Sequence, residues 1–267
     1  MSEDTEAYRT AHAARRAAAN ERVRAALPPE EIAYGAHERE KIDLYRAAAP
    51  DGPLFAFFHP GYWRSRSRGE FSYLAPAFVE RGVTFAAIGY PLCPEVRLRR
   101  VVDSARRAIA FLGREADRLG FDRARLHVGG HSAGGHLMAV MAATDWIGFG
   151  LPADLIKSGV GISGLYDLAP VTKLEVNELV RIDAAEIADL SPITMLPCNR
   201  GPIMLTVGGF ETEAFRQQML GLDSAWRKKG AAITIFDMPA LHHFDVVDTL
   251  GQAGSPIFEA TMAAIRA

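Results

Sequence analysis

Long apolar runs and cysteine-rich patterns are both missing from this sequence of 267 residues. No uncharged apolar stretch reaches the roughly 18 residues that a membrane span requires, so we expect none. Only two cysteines occur, Cys93 and Cys198, each near prolines in an expected loop and without metal-type spacing. The acidic, polar N-terminal residues are unlike a signal peptide. We therefore expect a cytoplasmic protein with free thiols.

A strong charge of either sign is also absent. The formal net charge is −2, so nothing favours nucleic acid or an anionic membrane surface as a partner. The composition, with 49% hydrophobic and 23% charged residues, is typical of a soluble globular enzyme. Internal repeats, low-complexity tracts and convincing linkers are missing too. The length suits one large α/β domain or two small ones.

Short apolar runs alternate with helical patterns along the chain. Such runs are typical of strands buried on both faces, and they cover residues 54–58, 83–88, 126–128, 160–163, 202–207 and 233–236. Helices are predicted over residues 4–27, 72–81, 97–119, 133–144, 212–229 and 254–266. Alternating Ile42, Leu44 and Tyr45 predict one edge strand within 32–47. The alternation of strands and helices predicts an α/β fold with a mostly parallel sheet covered on both faces.

The domain organisation is expected to be simple. Residues 1–29 are predicted to form an N-terminal helical arm, and residues 30–267 a single domain. A polar helical stretch at 173–190 lies within an insertion at about 165–198, which we expect to form a small cap.

The glycine-rich segment Gly130–Gly134 reads G-H-S-A-G and lies between an expected strand and an expected helix. The strand is Leu126–Val128, and the helix starts at Ala133. A serine on such a turn is held in a strained backbone conformation, with its hydroxyl projecting from the edge of the sheet. The alternative is a turn whose serine only caps the helix. The strand before and the helix after favour Ser132 as a nucleophile.

A serine nucleophile needs a base, and histidine serves best near neutral pH. In folds with this strand–turn–helix motif, the order along the chain is serine, acid, histidine. Downstream of Ser132 the sequence has His136, His242 and His243. His136 falls one turn into the nucleophile helix and is expected to point into packing. We favour His243 as the base, with His242 as the alternative.

The acid that orients the histidine is expected in the loop after the strand 202–207. Glu211 lies in that loop, where a carboxylate could reach an imidazole. Glu213 falls in the first turn of the following helix, where acidic residues are common because they suit the helix dipole. Asp245 and Asp248 lie on the far side of the histidine. We favour Glu211 as the acid, with Glu213 next.

Backbone N–H groups are needed to bind the oxyanion of a tetrahedral intermediate. Ala133, directly after the serine, supplies one. Gly61 and Tyr62, in the loop after the strand ending at Phe58, supply others, whereas Pro60 has no N–H. A loop that serves folding alone is the alternative interpretation.

Together these segments resemble the α/β-hydrolase superfamily and, within it, the kynurenine formamidase (arylformamidase) family and its bacterial esterase relatives. The likeness runs from about residue 30 to 250 and rests on five motifs: H-P-G-Y-W at 59–63, G-H-S-A-G-G-H-L at 130–137, S-G-L-Y-D-L at 163–168, G-F-E with F-R-Q-Q at 209–218, and H-F at 243–244. Two positions depart from the family pattern. Pro60 replaces the first glycine of the loop, and Glu211 stands where the family usually has aspartate.

The resemblance implies an α/β-hydrolase fold with a small helical cap, and hydrolysis of a small aromatic formamide or ester through an acyl-enzyme. It implies no metal and no cofactor. Ser132 would attack the carbonyl, His243 relay the proton and Glu211 orient His243. The implied substrate pocket is lined by Tyr62, Trp63, Leu165, Tyr166 and Phe210. A small-molecule ester or amide is the expected partner, nucleic acid and membranes are not, and a homodimer is left open.

Several assignments stay open at the level of sequence. Tyr62 and Trp63 are consistent with stacking on an aromatic substrate and equally with core packing. Arg64, Arg66 and Arg68 could attract a substrate carboxylate or form an ordinary solvated surface. A general short-chain carboxylesterase is the alternative function, followed by a binding protein that has lost the chemistry.

The segment that covers the pocket is likewise open. Phe71, Tyr73 and the stretch 173–190 are candidates for the mouth. The sequence does not decide whether residues 1–27 cover the pocket or pair with another chain.

Overall fold

An eight-stranded sheet runs through the middle of the computed structural model, which describes residues 6–198 and 201–267. The strands are β1 (Glu30–Ala33), β2 (Lys41–Tyr45), β3 (Gly52–Phe58), β4 (Thr84–Ile88), β5 (Phe121–His131), β6 (Ile156–Ile162), β7 (Ile203–Gly208) and β8 (Ile233–Met238). Their order is β1-β2-β4-β3-β5-β6-β7-β8. The β1–β2 and β2–β4 pairs are antiparallel, and every pair from β4 to β8 is parallel. The predicted mostly parallel sheet is therefore confirmed.

Helices connect most of these strands. They are α1 (Glu6–Ala26), α2 (Ala75–Val79), α3 (Leu98–Leu119), α4 (Ala133–Ala142), α5 (Asn177–Val180), α6 (Ala184–Leu190), α7 (Glu213–Arg227) and α8 (Pro256–Arg266). The predicted helices at 97–119, 212–229 and 254–266 are confirmed to within two residues at either end. Residues 4 and 5 of the predicted first helix lie outside the described residues. None of the helices in the described ranges is both long and apolar enough to cross a membrane.

Two apolar layers cover the sheet, one on each face. On one side α3 buries an apolar stripe, as its periodicity predicts: Val101, Val102, Ala105, Ala108, Ile109 and Leu112. On the other side α8 and α2 pack over aromatic residues of β3 and β4, and the rings of Phe55 and Phe78 stack with their centroids 4.6 Å apart. The continuous apolar strands are thus buried on both faces.

The predicted single edge strand over 32–47 is wrong, because the chain turns back within it. β1 and β2 form an antiparallel hairpin in which Ile32 faces Ile42. The turn closes where the Tyr34 N–H donates to the Glu40 carbonyl at 3.0 Å. The polar residues of this turn carry no strand periodicity, so the alternation after it did not reveal the reversal.

The polar stretch predicted to be helical at 173–190 forms two short helices rather than one continuous helix. α5 ends at Val180, because the next residue, Arg181, has a left-handed φ of +57°. α6 then begins with a capping box in which the Asp183 carboxylate accepts from the Glu186 N–H at 2.9 Å. Arg97, at the start of α3, binds Asp183 and Glu186 at 2.6 and 2.8 Å. These ion pairs hold α6 beside α3.

The helix α1 is docked on the domain rather than extended from it. Near its C-terminal end, the Arg24 guanidinium binds the carboxylate of Asp43 at 2.6 Å. Asp43 is buried on β2 and is also bound by Arg68 at 2.7 Å. Further along the helix, the Asn20 amide donates to the carbonyl of Glu70 at 2.8 Å. These two guanidinium groups compensate the buried carboxylate, and one of them fastens α1 to the sheet.

The junction of β5 and α4 depends on glycine where two backbones approach closely. A Cβ atom on Gly134 would lie 1.9 Å from the carbonyl oxygen of Phe58, and one on Gly130 would lie 2.0 Å from the carbonyl oxygen of Gly134. The first turn of α4 therefore packs directly on the end of β3. This contact places Ser132 beside the loop that follows Phe58.

We expect Gly134→Ala to destabilise the fold by about 1–3 kcal/mol, because the added methyl group forces these backbones apart. Gly148→Ala is the matched control, since a Cβ there meets nothing within 4 Å. It should be neutral or stabilising by less than about 1 kcal/mol. Urea denaturation of both variants measures the difference, and equal midpoints would contradict the close-approach argument.

Candidate active site

Ser132 lies on the sharp turn between β5 and α4. Its φ of +54° and ψ of −116° are strained for a residue with a side chain. The strand order supports this conformation, because the Ser132 N–H donates to the carbonyl of Ile162, on the neighbouring β6, at 2.8 Å. The backbone at Ser132 thus has the geometry that the G-H-S-A-G segment predicts.

His243 and Glu211 meet through a short hydrogen bond. The His243 Nδ1 atom lies 2.6 Å from Oε2 of Glu211. The other carboxylate oxygen, Oε1, accepts from the Gly208 N–H at 2.7 Å and from the Ser163 hydroxyl at 2.5 Å. The Glu211 side chain is only 1% exposed, so these donors replace the water that burial removes.

Ser163 is a member of this cluster that the sequence reasoning did not single out. It directly follows β6, and its φ of +49° is left-handed. Its N–H donates to the Thr206 carbonyl on β7 at 2.8 Å, which turns the chain toward Glu211. The available signal was the order of the strands: β6 and β7 are neighbours, so residues after both strands meet at one edge of the sheet.

The competing residues lie elsewhere. Glu213 is exposed in the first turn of α7, where it accepts from the Gln217 side chain at 2.5 Å. The His242 ring packs against Phe210 at 5.0 Å between centroids. Asp248 accepts from the Tyr73 hydroxyl at 2.7 Å and binds residues of α1. Glu211 and His243 are thus the acid and histidine that the fold brings into contact.

The loop after β3 has three successive left-handed residues, Gly61, Tyr62 and Trp63, with φ of +117°, +48° and +57°. The carbonyl of Gly61 accepts from the N–H of Arg64 and of Ser65 at 3.0 and 3.1 Å. A Cβ atom at Gly61 would lie 2.3 Å from the Ser65 carbonyl, so only glycine fits. Within the described residues, the Gly61 and Tyr62 N–H groups have no backbone acceptor.

His59 anchors the start of this loop. Its Nδ1 lies 2.8 Å from the Pro60 carbonyl, and its ring stacks on Tyr90 at 4.1 Å between centroids. The Tyr90 hydroxyl donates to the His59 carbonyl at 2.6 Å. Complete burial lowers the pKa of His59 to about 3, so the ring is neutral and Nδ1 is the donor. The contacts of His59 and Tyr90 therefore hold the start of this loop in place.

Ser132 and His243 line one cavity of about 510 Å³ together with His131, Gly61 and Tyr62. The remaining walls come from the loop after β3 and from α1: His12, Ala13, Arg16, Ala17, Asn20, Pro60, Arg64, Ser65, Arg66, Glu70, Phe71 and Phe244. The cavity therefore joins the predicted nucleophile, histidine and two oxyanion-loop residues. Ala133, the third predicted donor, starts α4 next to Ser132.

Four of the five residues predicted to line the substrate pocket do not line this cavity. Trp63 is fully buried, with its ring edge-on to His136 at 5.1 Å, so it belongs to the core. Leu165 and Tyr166 are buried in the hydrophobic core. Phe210 is 51% exposed and packs on His242. Tyr62, which is half-buried, is the predicted residue that does line the cavity.

The expected cap at 165–198 does not line the cavity either, because the ion pairs of α6 hold it beside α3. Phe71 contributes to the wall, as expected, whereas Tyr73 is held beneath α1 by Asp248. The cover is instead provided by α1, through His12, Ala13, Arg16, Ala17 and Asn20. Sequence reasoning left this role of the N-terminal residues undecided.

Arginine side chains face the cavity from the loop after β3. Arg66 pairs with Glu70 at 3.1 Å, and Arg64 is exposed without an ion pair among the described residues. Arg68, the third arginine of the segment, instead binds the buried carboxylate of Asp43 at 2.7 Å. Of these three arginines, Arg64 is therefore the one placed to attract an anion, whereas Arg66 and Arg68 already pair with carboxylates.

His131 lies against the candidate base. The centroids of the His131 and His243 rings are 4.6 Å apart. Burial, together with the charge that His243 can carry, lowers the pKa of His131 well below its ordinary value. His131 therefore stays neutral when His243 takes up a proton.

Comparison with known proteins points to one group of enzymes. The family model BD-FAE matches residues 42–149. Kynurenine formamidase of Danio rerio is 29% identical over 227 residues, covering 82% of this chain and 76% of that protein. Kynurenine formamidase of Drosophila melanogaster is 24% identical over 231 residues, covering 82% and 75%.

Two solved structures are similar to this chain along nearly its whole length. A crystal structure described as a "putative thioesterase" from Silicibacter sp. TM1040 has a TM-score of 0.83 and 31% identity, covering 99% of this chain and 96% of that chain. Esterase B from Lactobacillus Rhamnosis has a TM-score of 0.72 at 19% identity, covering 97% and 92%. That second likeness concerns the fold.

Buried neutral histidines should make the fold sensitive to mild acid. Burial lowers the pKa of His136 to about 4 from an ordinary 6.5. Between about pH 6.5 and 4 the unfolded chain therefore binds a proton that the folded chain does not, so stability falls as the pH falls. His136→Gln, which can still donate to the Leu190 carbonyl, should reduce this slope by about 1.4 kcal/mol per pH unit.

Urea denaturation at pH 7, 6 and 5 measures the two slopes. Parallel pH profiles for His136→Gln and the parent would contradict the assignment of a buried, neutral imidazole.

Proposed function

Because the chain belongs to the α/β-hydrolase superfamily, we propose that it is a serine hydrolase that cleaves a small aromatic formamide or ester through an acyl-enzyme. The observation that carries the proposal is the shared cavity of Ser132 and His243, with His243 bonded to a buried carboxylate. Serine, acid and histidine follow one another along the chain in the order typical of this superfamily.

In the first half of the reaction, Ser132 attacks the substrate carbonyl and His243 takes the hydroxyl proton on Nε2. Nε2 is available for this role because Nδ1 carries the ring proton and donates it to Glu211 at 2.6 Å. The carboxylate stabilises the imidazolium that forms. The hydrogen bonds from the Ser163 hydroxyl and the Gly208 N–H fix the orientation of the Glu211 carboxylate.

The tetrahedral intermediate carries an oxyanion, which we assign to the N–H groups of Gly61, Tyr62 and Ala133. The left-handed loop leaves the first two N–H groups without a backbone acceptor in the described residues. Ala133 opens α4, where the helix dipole also favours negative charge. Each such donor is worth about 3–4 kcal/mol in the transition state.

His243 then gives its proton to the leaving amine or alcohol, and the C–N or C–O bond breaks. The acyl group remains on Ser132. Water enters, loses a proton to His243 and attacks the acyl carbon, and the released acid leaves the serine with its proton restored. The neutral His131 adds no charge to compete with the imidazolium of His243.

The substrate class follows from the relatives and from the cavity. The kynurenine formamidases support an aryl formamide, and the aromatic ring of Tyr62 in the cavity wall suits an aromatic leaving group. The esterase-like folds support a short-chain carboxylesterase as the second candidate. The free Cys93 and Cys198 thiols are consistent with the cytoplasmic location that we propose.

Ser132→Ala should abolish hydrolysis, lowering kcat/KM by at least about 10³-fold, because it removes the hydroxyl that we assign as the nucleophile. The panel should contain N-formylkynurenine, p-nitrophenyl acetate and a phenyl thioester, each assayed with parent and variant. A preference for the formamide supports the first candidate, and a preference for the acetate supports the carboxylesterase. Full activity of Ser132→Ala would overturn the serine mechanism, and failure of a fluorophosphonate to label the parent would favour a binding protein.

Ser163→Ala should lower kcat by about tenfold with little change in KM, because Glu211 loses a donor and holds the imidazole less firmly. Ser158→Ala is the matched control. It removes a buried hydroxyl from the same strand region, bonded to His127 at 2.8 Å, away from the cavity. Steady-state kinetics on the best panel substrate compare the two, and equal kcat values would contradict the role of Ser163.

A further inference from the structure

Side chains at three positions hold α1 against the domain: Arg24, Asn20 and Arg16. Of these, Arg16 contacts the loop after β8, which carries His243. The Arg16 guanidinium binds Asp248 through Nε at 3.0 Å and Nη2 at 2.7 Å. The same Nη2 donates to the carbonyl of Phe244, the residue directly after His243. One side chain of α1 thus bridges two points of the loop that carries the candidate base.

Asp248 accepts most of the hydrogen bonds at this contact. Besides Arg16, its carboxylate is bound by the Tyr73 hydroxyl at 2.7 Å and by Nε2 of His12 at 3.0 Å. Burial alone would raise the pKa of Asp248, but these donors outweigh it and lower the pKa below its ordinary value. The carboxylate is therefore ionised and fully bonded. The Arg16 guanidinium also packs over the rings of Phe71 and Tyr73, with its Cζ 5.5 and 5.3 Å from the ring centroids.

The same face of α1 closes the cavity. Ala13, Ala17 and Arg16 contribute to the wall that surrounds Ser132 and His243. At the next turn, Asn20 ties α1 to the segment below it, accepting from the Tyr73 N–H at 2.9 Å and donating to the Glu70 carbonyl at 2.8 Å. The cavity wall on α1 therefore contains small residues, Ala13 and Ala17, together with polar residues that also fasten the helix.

We propose that α1 is a working part of the active site: it sets the size of group that the cavity accepts, and Arg16 is a positioning residue that holds the His243 loop. This inference rests on the proposed function, because it assigns a task to the neighbourhood of the same serine and histidine. A helix that merely packed on the surface would need neither a donor to Phe244 nor a wall of alanines toward the cavity.

The first test compares Arg16→Gln with Arg16→Lys and with Arg22→Gln. Arg22 lies on α1, is exposed, and has no ion pair among the described residues, so it controls for loss of a helix arginine. Arg16→Gln should lower kcat on a short aryl ester about ten- to a hundredfold, because small displacements of a catalytic group are that costly. KM should change less than threefold. Arg16→Lys should recover part of kcat, since an ammonium can donate to Asp248 and Phe244 but lacks the second nitrogen, Nε, that also binds Asp248 in the parent.

Amide hydrogen exchange provides a readout that needs no substrate. In Arg16→Gln the amides of residues 239–251 should exchange faster than in Arg22→Gln, while those of β5 and α4 should be unchanged. Equal exchange and equal kcat in these two variants would overturn the role of Arg16. That result would leave the serine mechanism standing, because the mechanism is tested by Ser132→Ala and by fluorophosphonate labelling.

The second test addresses the size limit. Ala17→Phe places a ring in the cavity wall, and Ala14→Phe places the same ring on the exposed face of α1, away from the cavity. Ala17→Phe should lower kcat/KM for p-nitrophenyl octanoate at least tenfold more than for p-nitrophenyl acetate. Ala14→Phe should leave the ratio of the two substrates unchanged. An unchanged ratio in Ala17→Phe would show that α1 does not limit the substrate.

Discussion

The buried carboxylate of Glu211 ties together three segments that are distant in sequence. It accepts from the Ser163 hydroxyl after β6, from the Gly208 N–H at the end of β7, and from His243 after β8. A carboxylate in this position is tolerable only because every donor is present. The parallel order of β6, β7 and β8 brings those donors to one edge of the sheet. The pairing of β6, β7 and β8 therefore also determines where the His243 imidazole lies.

Much of this arrangement could be predicted because it is encoded locally. Apolar runs bounded by turns identify the strands, and the G-H-S-A-G segment identifies the sharp turn at Ser132. The acid and the histidine were expected in the loops after β7 and β8, and the contact between Glu211 and His243 is where that reasoning placed it. Glu211 was favoured over Glu213 on local sequence as well, because Glu213 was expected in the first turn of a helix, and α7 begins there.

The parts that could not be predicted depend on contacts between distant side chains. Nothing near Trp63 in sequence indicates that His136 and the core will enclose it. The assignment of the cap failed for a similar reason: Arg97 fastens α6 beside α3, whereas Asp248 and Asp43 fasten α1 over the cavity. Ion pairs between residues that are far apart in the chain produce no periodic pattern in the sequence, so they could not be predicted from it. The hairpin of β1 and β2 was missed because its turn has no strong turn signature.

The left-handed backbone at Ser132 sets the free energy of unfolding against the presence of a hydroxyl group at this position. A residue with a side chain in such a conformation costs of order 1–3 kcal/mol, which glycine would largely avoid. A chain selected for thermodynamic stability alone would therefore carry glycine at position 132. Retaining a hydroxyl on this turn gives up part of a folding free energy that is only about 5–15 kcal/mol in a typical domain. Engineering for heat resistance would meet this trade-off first at Ser132, the proposed nucleophile.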